Sequence, residues 1–287
     1  MVKTIGNPLS WGASALVDTA EALRTATEGL KSPSDQLPDT RILTASDLRQ
    51  ALRNGLLDFA HFRSDVVMLV VLYPVIGIAL SYLAFHQNLL PLLFPLAAGF
   101  ALIGPLAAIG LYELSRRREA KAPTSWIHAF AVLRPKVAGP VFSLGLALIA
   151  LYALWLYAAA WIYHITLGPA LPSSLSSFVT AIFTTPQGYL MMALGLSTGF
   201  VFALLTLSVS ILSFPMLIDR QVGLPVAVAT SLKFSRQNPD VVMLWGAIVA
   251  VSLLLASLPL FLGLVFVLPI LGHSTWHLYR KAVPPRP

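Results

Sequence analysis

His273 and His277 stand one helical turn apart, a spacing that offers two imidazoles to one metal ion if a third ligand arrives from elsewhere. Trp276 and Tyr279 lie beside them, so the pair also reads as interfacial histidines in an aromatic belt, and that is the reading adopted. Cysteine is absent, which removes disulfides, thiolate nucleophiles, iron–sulfur ligation and Cys-type zinc sites together. The remaining histidines, His61, His86, His128 and His164, are scattered and give no bis-histidine haem pair. No catalytic residue, cofactor or bound metal is therefore expected.

Two carboxylates could do proton chemistry if they lay inside a membrane, where an acid is a functional candidate by default. Glu113 follows Tyr112 and precedes Arg116, and Asp219 precedes Arg220. Both fall at the ends of apolar stretches, so they read as paired boundary anchors. Prolines at Pro74, Pro95, Pro105, Pro215, Pro259 and Pro269 sit in or at the ends of apolar segments, where each removes a backbone hydrogen bond. A transporter would use such breaks, yet proline is also common in membrane helices. Gly195 and Gly199 form a small-xxx-small motif that lets a second helix approach closely.

The elements that position these residues follow from where the charges are. The 287 residues are 57% hydrophobic and 11% charged, against about 25% charged in soluble domains. Val66 to Tyr112, Val137 to Ile218 and Val241 to Tyr279 contain no Asp, Glu, Lys or Arg. A helix needs about 20 apolar residues to cross a hydrocarbon core of about 30 Å, so each block holds a pair of spans. The expectation is an all-α polytopic membrane domain over 44–282, with spans at 66–85, 91–113, 139–163, 188–215, 241–258 and 260–279. A polar arm, 1–43, precedes it and a short tail, 283–287, follows. Within the arm, Ser10 to Leu30 suits an amphipathic helix. No cleavable targeting segment is expected in the first 64 residues, because no apolar run there reaches signal-peptide length.

With six spans every Lys and Arg falls on the side of the N-terminus. The positive-inside rule makes that side cytoplasmic, with both termini there. The net charge of +7 then reads as topology and attraction to anionic lipid at the cytoplasmic face, with no nucleic-acid partner.

The three hairpins look like repeats. Asp65-Val66-Val67-Met68-Leu69 recurs as Asp240-Val241-Val242-Met243-Leu244, and Pro105, Tyr112 and Arg116 share the spacing of Pro269, Trp276 and Arg280. The middle hairpin keeps Pro215, followed by Asp219 and Arg220. Each hairpin is preceded by a cytoplasmic amphipathic segment. The first opens on Thr44-Ala45-Ser46-Asp47 as a capping box and carries Leu48, Leu52, Leu56, Phe59 and Phe62 at helical spacing, suited to the headgroup plane. The second opens at Thr124-Ser125-Trp126, and the third at Pro225, running toward Asn238-Pro239. Between the third and fourth spans, Thr166 to Gln187 reads as an external loop with a short interfacial helix at Ser176 to Phe183.

The chain resembles domain-of-unknown-function family 2189, bacterial predicted integral membrane proteins, from about Leu43 to Lys281. The resemblance rests on Ser46-Asp47-Leu48 with Gly55, on Gly104 to Glu113 with Ser115-Arg116-Arg117, and on Pro215 to Arg220 with Asn238-Pro239. Pro259, Phe261 to Leu264, Pro269 to His273 and Thr275 to Arg280 complete it. It implies the topology and no activity. A non-enzymatic inner-membrane protein is the expectation: an accessory, assembly or scaffolding subunit of a larger, energy-transducing membrane complex, partnered by lipid and another membrane protein. The alternative is a small-solute or lipid transporter built from hairpin repeats.

Overall fold

A computed structural model describes residues 37–70, 75, 78–79, 82, 89–125, 128–129, 135–220 and 222–284. Among these residues all regular structure is helical. Helix α1 spans Ala45–Val70, and a 3-10 turn at Leu90–Leu92 leads into α2, Leu93–Ala107, and α3, Ile109–Glu119. Then come α4, Pro135–Thr166, α5, Leu175–Thr184, α6, Pro186–Ser210, and α7, Ser213–Arg220. Helices α8, Leu224–Gln237, α9, Pro239–Ser257, and α10, Leu264–Ala282, close the described chain.

Among the described residues three helical stretches are long and apolar enough to cross a membrane: Val137–Thr166, Pro186–Arg220 and Pro239–Ser257. They overlie the expected third, fourth and fifth spans. The N-terminal arm to residue 36, most of the first span, the Phe85 to Asn88 turn and most of the second amphipathic segment lie outside the described residues.

Local chemistry sets the helix starts. The Asp47 carboxylate takes the Thr44 N–H at 3.0 Å and the Thr44 hydroxyl at 2.9 Å, so the N3 residue caps α1. Proline occupies the first turn of α6, α8 and α9, where its missing N–H costs nothing. Ser174 and Ser177 form a reciprocal capping box on α5, the short helix expected in the external loop.

Two expected spans are interrupted. The 91–113 stretch divides at Ala108 into α2 and α3, where the Leu111 N–H turns to the Ala108 carbonyl at 2.9 Å; Pro105 lies inside α2, just before the break. The 188–215 stretch breaks at Ile211–Leu212, and the agent is a side chain from another helix. Ser231 of α8 accepts the Leu212 N–H at 3.3 Å and donates to the Ser208 carbonyl at 2.7 Å. Its hydroxyl thus stands inside what would be the Leu212-to-Ser208 helical bond.

The larger revision concerns α1. The expected surface helix and the start of the first span are one continuous helix of 26 residues, Ala45–Val70. Leu48, Ala51, Gly55, Asp58 and Phe62 form its buried stripe, and that stripe packs along α10 in the most extensive helix pairing of the fold. The helix does not offer this face to the headgroup plane, because α10 already covers it. Gly55 allows the contact: a Cβ there would lie 2.6 Å from the Ser274 backbone nitrogen.

Helices α3, α7 and α10, which carry the three matched exits, pack against one another pairwise. Helices α4 and α6 pack together with Gly199 against the Trp155 indole, whereas Gly195 meets nothing within 4 Å. The motif is therefore split between an internal contact and an open face.

Candidate functional site

Asp58 sits on the buried stripe of α1, 4% exposed. Arg118 of α3 donates to its Oδ1 at 2.5 Å, while Ser115 Oγ at 2.5 Å and His277 Nε2 at 2.9 Å meet its Oδ2. Burial alone would raise this carboxyl, but hydrogen bonds from His277 and Ser115 and the nearby imidazoles outweigh it and hold Asp58 below the usual carboxylate range.

Proton counting fixes the rest of the cluster. Ser115 gives its one proton to Asp58, so its oxygen accepts from His273 Nδ1 at 2.8 Å. His273 is then the Nδ1–H tautomer. Its ring is fully buried and stacks on Phe62 with centroids 5.7 Å apart, and its Nε2 has no hydrogen-bond partner. Serine, histidine and aspartate meet here, but the serine proton points at the acid. That is a hydrogen-bonded clamp, not the base-activated nucleophile of an acyl-transfer triad.

Metal binding fares no better at this locus. His273 and His277 do share a face, but Arg118 already neutralises Asp58, and His273 Nδ1 is 4.0 Å from the carboxylate. Among the described residues no group of three His, Asp or Glu side chains is arranged to hold a metal ion. The expected aromatic belt is also revised. Trp276 and Tyr279 are buried within protein, at 1% and 0% exposure, because α1 and α3 cover that half of α10.

The clamp is one part of a wider charge network. Glu113, 3% exposed, receives Arg116 through two bonds at 2.7 and 2.8 Å and Arg117 at 2.8 Å. Glu119 accepts from the Trp276 indole at 3.1 Å and from Arg280 at 2.9 Å. Tyr279 donates to Asp219 at 2.6 Å and accepts from Arg220 at 3.2 Å, and Arg220 also bonds the Pro284 carbonyl. Arg280 reaches Asp219 at 3.4 Å, and Lys281 ties Asp47 at 3.0 Å and Gln50 at 2.7 Å.

The sequence-selected residues therefore separate into two groups. Glu113, Arg116, Asp219, Arg220, Trp276 and Arg280 come together at one end of the bundle, with Tyr112 buried beside them. Pro105, Pro215 and Pro269 lie inside the helices that bring them there, whereas Gly195 and Gly199 stand on α6, away from the network. Of Asp58, Ser115, Arg118 and Glu119, the sequence motifs reach only Ser115, within Ser115-Arg116-Arg117. For Asp58 a signal existed: a carboxylate at an apolar position of α1, four residues before Phe62 and three after Gly55.

Residues 93–219 match the family model described as a predicted integral membrane protein, domain-of-unknown-function family 2189. This is the central part of the wider stretch over which the motifs run. No curated protein and no solved structure matches the chain.

Proposed function

For an integral membrane protein whose residues 93–219 fall in that family, we propose the role of a non-enzymatic accessory, assembly or scaffolding subunit within a larger membrane complex. The arrangement proposed is six spans in three hairpins, with both termini cytoplasmic in the inner membrane. One observation supports this reading: α1, α3, α7 and α10 are cross-bonded at one end by four paired carboxylates, Asp47, Asp58, Glu119 and Asp219, beside a buried Glu113 held by two arginines of its own helix. Such a closed end suits a rigid frame. The apolar flanks of α4 and α6 stay outward, with Leu146, Tyr157, Trp161 and Leu196 more than half exposed, an area for lipid and for a neighbouring subunit. Arg116 to Arg118, Lys121 and Arg280 at the bonded end support the cytoplasmic orientation and contact with anionic lipid.

The test uses Gly195, whose missing Cβ faces open space. Gly195→Leu starts its side chain in that open space, where no packed neighbour has to move for its Cβ. Mild-detergent purification of tagged wild type is expected to yield a stoichiometric membrane-protein complex, and the variant to lose it with unchanged thermal unfolding. A wild-type chain that elutes alone would overturn the subunit reading. The transporter alternative draws on the breaks at Ala108 and Ile211–Leu212. Solute or lipid flux in vesicles holding the pure chain would put it first.

A further inference from the structure

The turn between α9 and α10 has the wrong chemistry for water. Residues Leu258 to Gly263 read Leu-Pro-Leu-Phe-Leu-Gly, without one polar side chain. Leu258, Leu260 and Leu262 are 72%, 71% and 59% exposed, and Leu254, Leu255 and Phe266 extend this apolar surface down both helices. Turns in water draw on Gly, Asn, Asp and Ser, above all where φ is positive. Here Leu260 and Phe261 hold the left-handed positions, at φ 51° and 63°. The loop between α4 and α6, by contrast, exposes Ser173, Ser174, Ser176 and Ser177.

Its height in the bundle accounts for this chemistry. Both ends of the hairpin are tied to one segment at the bonded end: the Leu43 N–H donates to Asn238 Oδ1 at 2.7 Å at the foot of α9, and the Arg41 N–H to the Ala282 carbonyl at 2.9 Å at the foot of α10. From there each helix has only 19 residues, against 32 in α4. On α6 the register is set where a Cβ on Gly246 would lie 2.9 Å from Leu207 Cδ2. At about 1.5 Å per residue, α9 rises about 16 Å from Gly246 to Ser257, while α6 rises about 31 Å from Leu207 to Pro186. On α2 the register is set where a Cβ on Gly272 would lie 3.3 Å from the Ala108 Cβ. Helix α10 covers about 12 Å from there to Leu264, and α2 about 22 Å from Ala108 to Leu93. Two independent neighbours thus leave the hairpin about 10 to 15 Å short of the far end of the bundle. That end carries the marks of an interface: Tyr163 and Tyr189 donate to the loop carbonyls of Ala170 and Phe183, and Trp161 is exposed beside them on α4.

Irregular backbone is kept out of hydrocarbon by polar groups that no water can meet, and this turn meets its own. The N–H groups of Leu260, Phe261, Leu262 and Leu264 donate to the carbonyls of Leu258, Ser257, Pro259 and Phe261, and Pro259 has no N–H to place. We infer that α9 and α10 enter the bilayer from the bonded end and turn inside it, with the Leu258–Gly263 turn covered by acyl chains of the far leaflet. This rests on the membrane reading proposed above and makes its third hairpin re-entrant, with the side of both termini unchanged. Lipid, not protein, is the cover, because protein interfaces carry roughly one hydrogen bond per 100 to 200 Å² and the side chains of this turn offer none.

Nitroxide labels on Leu258→Cys and Leu262→Cys test this in the full-length chain, which has no other thiol, reconstituted in dioleoylphosphatidylcholine vesicles. Labelled Ser173→Cys is the water-exposed reference. Collision with oxygen should exceed collision with nickel ethylenediaminediacetate several-fold at both turn positions, and the order should reverse at the reference. Nickel collision at the turn as frequent as at the reference would put the turn in water and overturn the proposal. Weak collision with both reagents would show a protein cover and overturn it equally. Both leucines are exposed, so labelling removes little packing, and the second site keeps the test open if the first disturbs folding. The oxygen-to-nickel ratio is the same in either orientation and needs no partner, so its failure and that of the subunit reading are separate results.

Discussion

Gly55 of α1 and Ser274 of α10 meet at backbone distance, so close that a methyl on Gly55 would lie 2.6 Å from the Ser274 nitrogen and 2.8 Å from its Cα. Overpacking of this kind costs about 1 to 3 kcal/mol when neighbours can shift, and here the obstacle is backbone. Gly55→Ala should therefore lower thermal stability in detergent by at least that amount. Ser274→Ala should restore only part of it, since the Ser274 backbone remains. Full rescue would mean that the side chain alone sets the spacing.

Asp58→Asn should cost about 1 to 3 kcal/mol, because it leaves Ser115 and His277 facing a neutral amide in a buried site, while Arg118, 35% exposed, recovers part of its hydration. Chemical unfolding of the purified chain measures this directly. A loss under about 1 kcal/mol would show that the clamp contributes little to holding α1 on α10.

Acid should act through the same contacts. The hydrogen bond from Lys281 holds Asp47 below its ordinary value, and Asp58 is depressed as well, with bonds from His277 and Ser115 outweighing burial. A carboxyl depressed in the folded state contributes stability that is complete above its unfolded value, about 3.9, and is lost as pH falls through the lower folded value. The unfolding midpoint should therefore fall steeply below about pH 4 in wild type and more gently in Asp58→Asn. Parallel pH profiles would contradict the assignment.

Burial separates two glutamates of the same helix, α3. The Glu113 side chain is 4% exposed and held by two arginines, whereas Glu119 is 43% exposed and pairs with Arg280. Glu113→Gln should lose about 3 kcal/mol and Glu119→Gln less than about 1, since exposed pairs are screened by water. Equal losses in thermal melts would argue that exposure does not rank these pairs.

The lack of cysteine makes the orientation testable without a background to remove. Ser173→Cys, in the loop before α5, should react with a membrane-impermeant maleimide applied outside intact spheroplasts. Arg236→Cys, near the end of α8, should react only after lysis. The reverse pattern would invert the proposed topology.

Charge segregation made the third, fourth and fifth spans legible, because a charge at mid-bilayer is costly enough to leave a clear gap in the sequence. Pro225 and Asn238-Pro239 marked the ends of α8 for similarly local reasons. The break at Ile211–Leu212 was not legible, since it depends on a hydroxyl from Ser231, 19 residues beyond Leu212. Asp58 shows the same limit more sharply. Its polar character on an apolar stripe was visible, but its partner His277 lies 219 residues away, and only the folded chain brings them together.

That separation bears on how the chain is made. Helix α1 leaves the ribosome long before residues 273 to 282 exist, so Asp58 and the stripe around it must wait for α10 while the middle of the chain is inserted. During that interval a carboxylate sits on an otherwise apolar face with Arg118 as its earliest ionic companion. Emergence of α10 is thus also the moment at which α1 gains its permanent cover. A chain truncated before α10 would display the uncovered stripe as an exposed degradation signal.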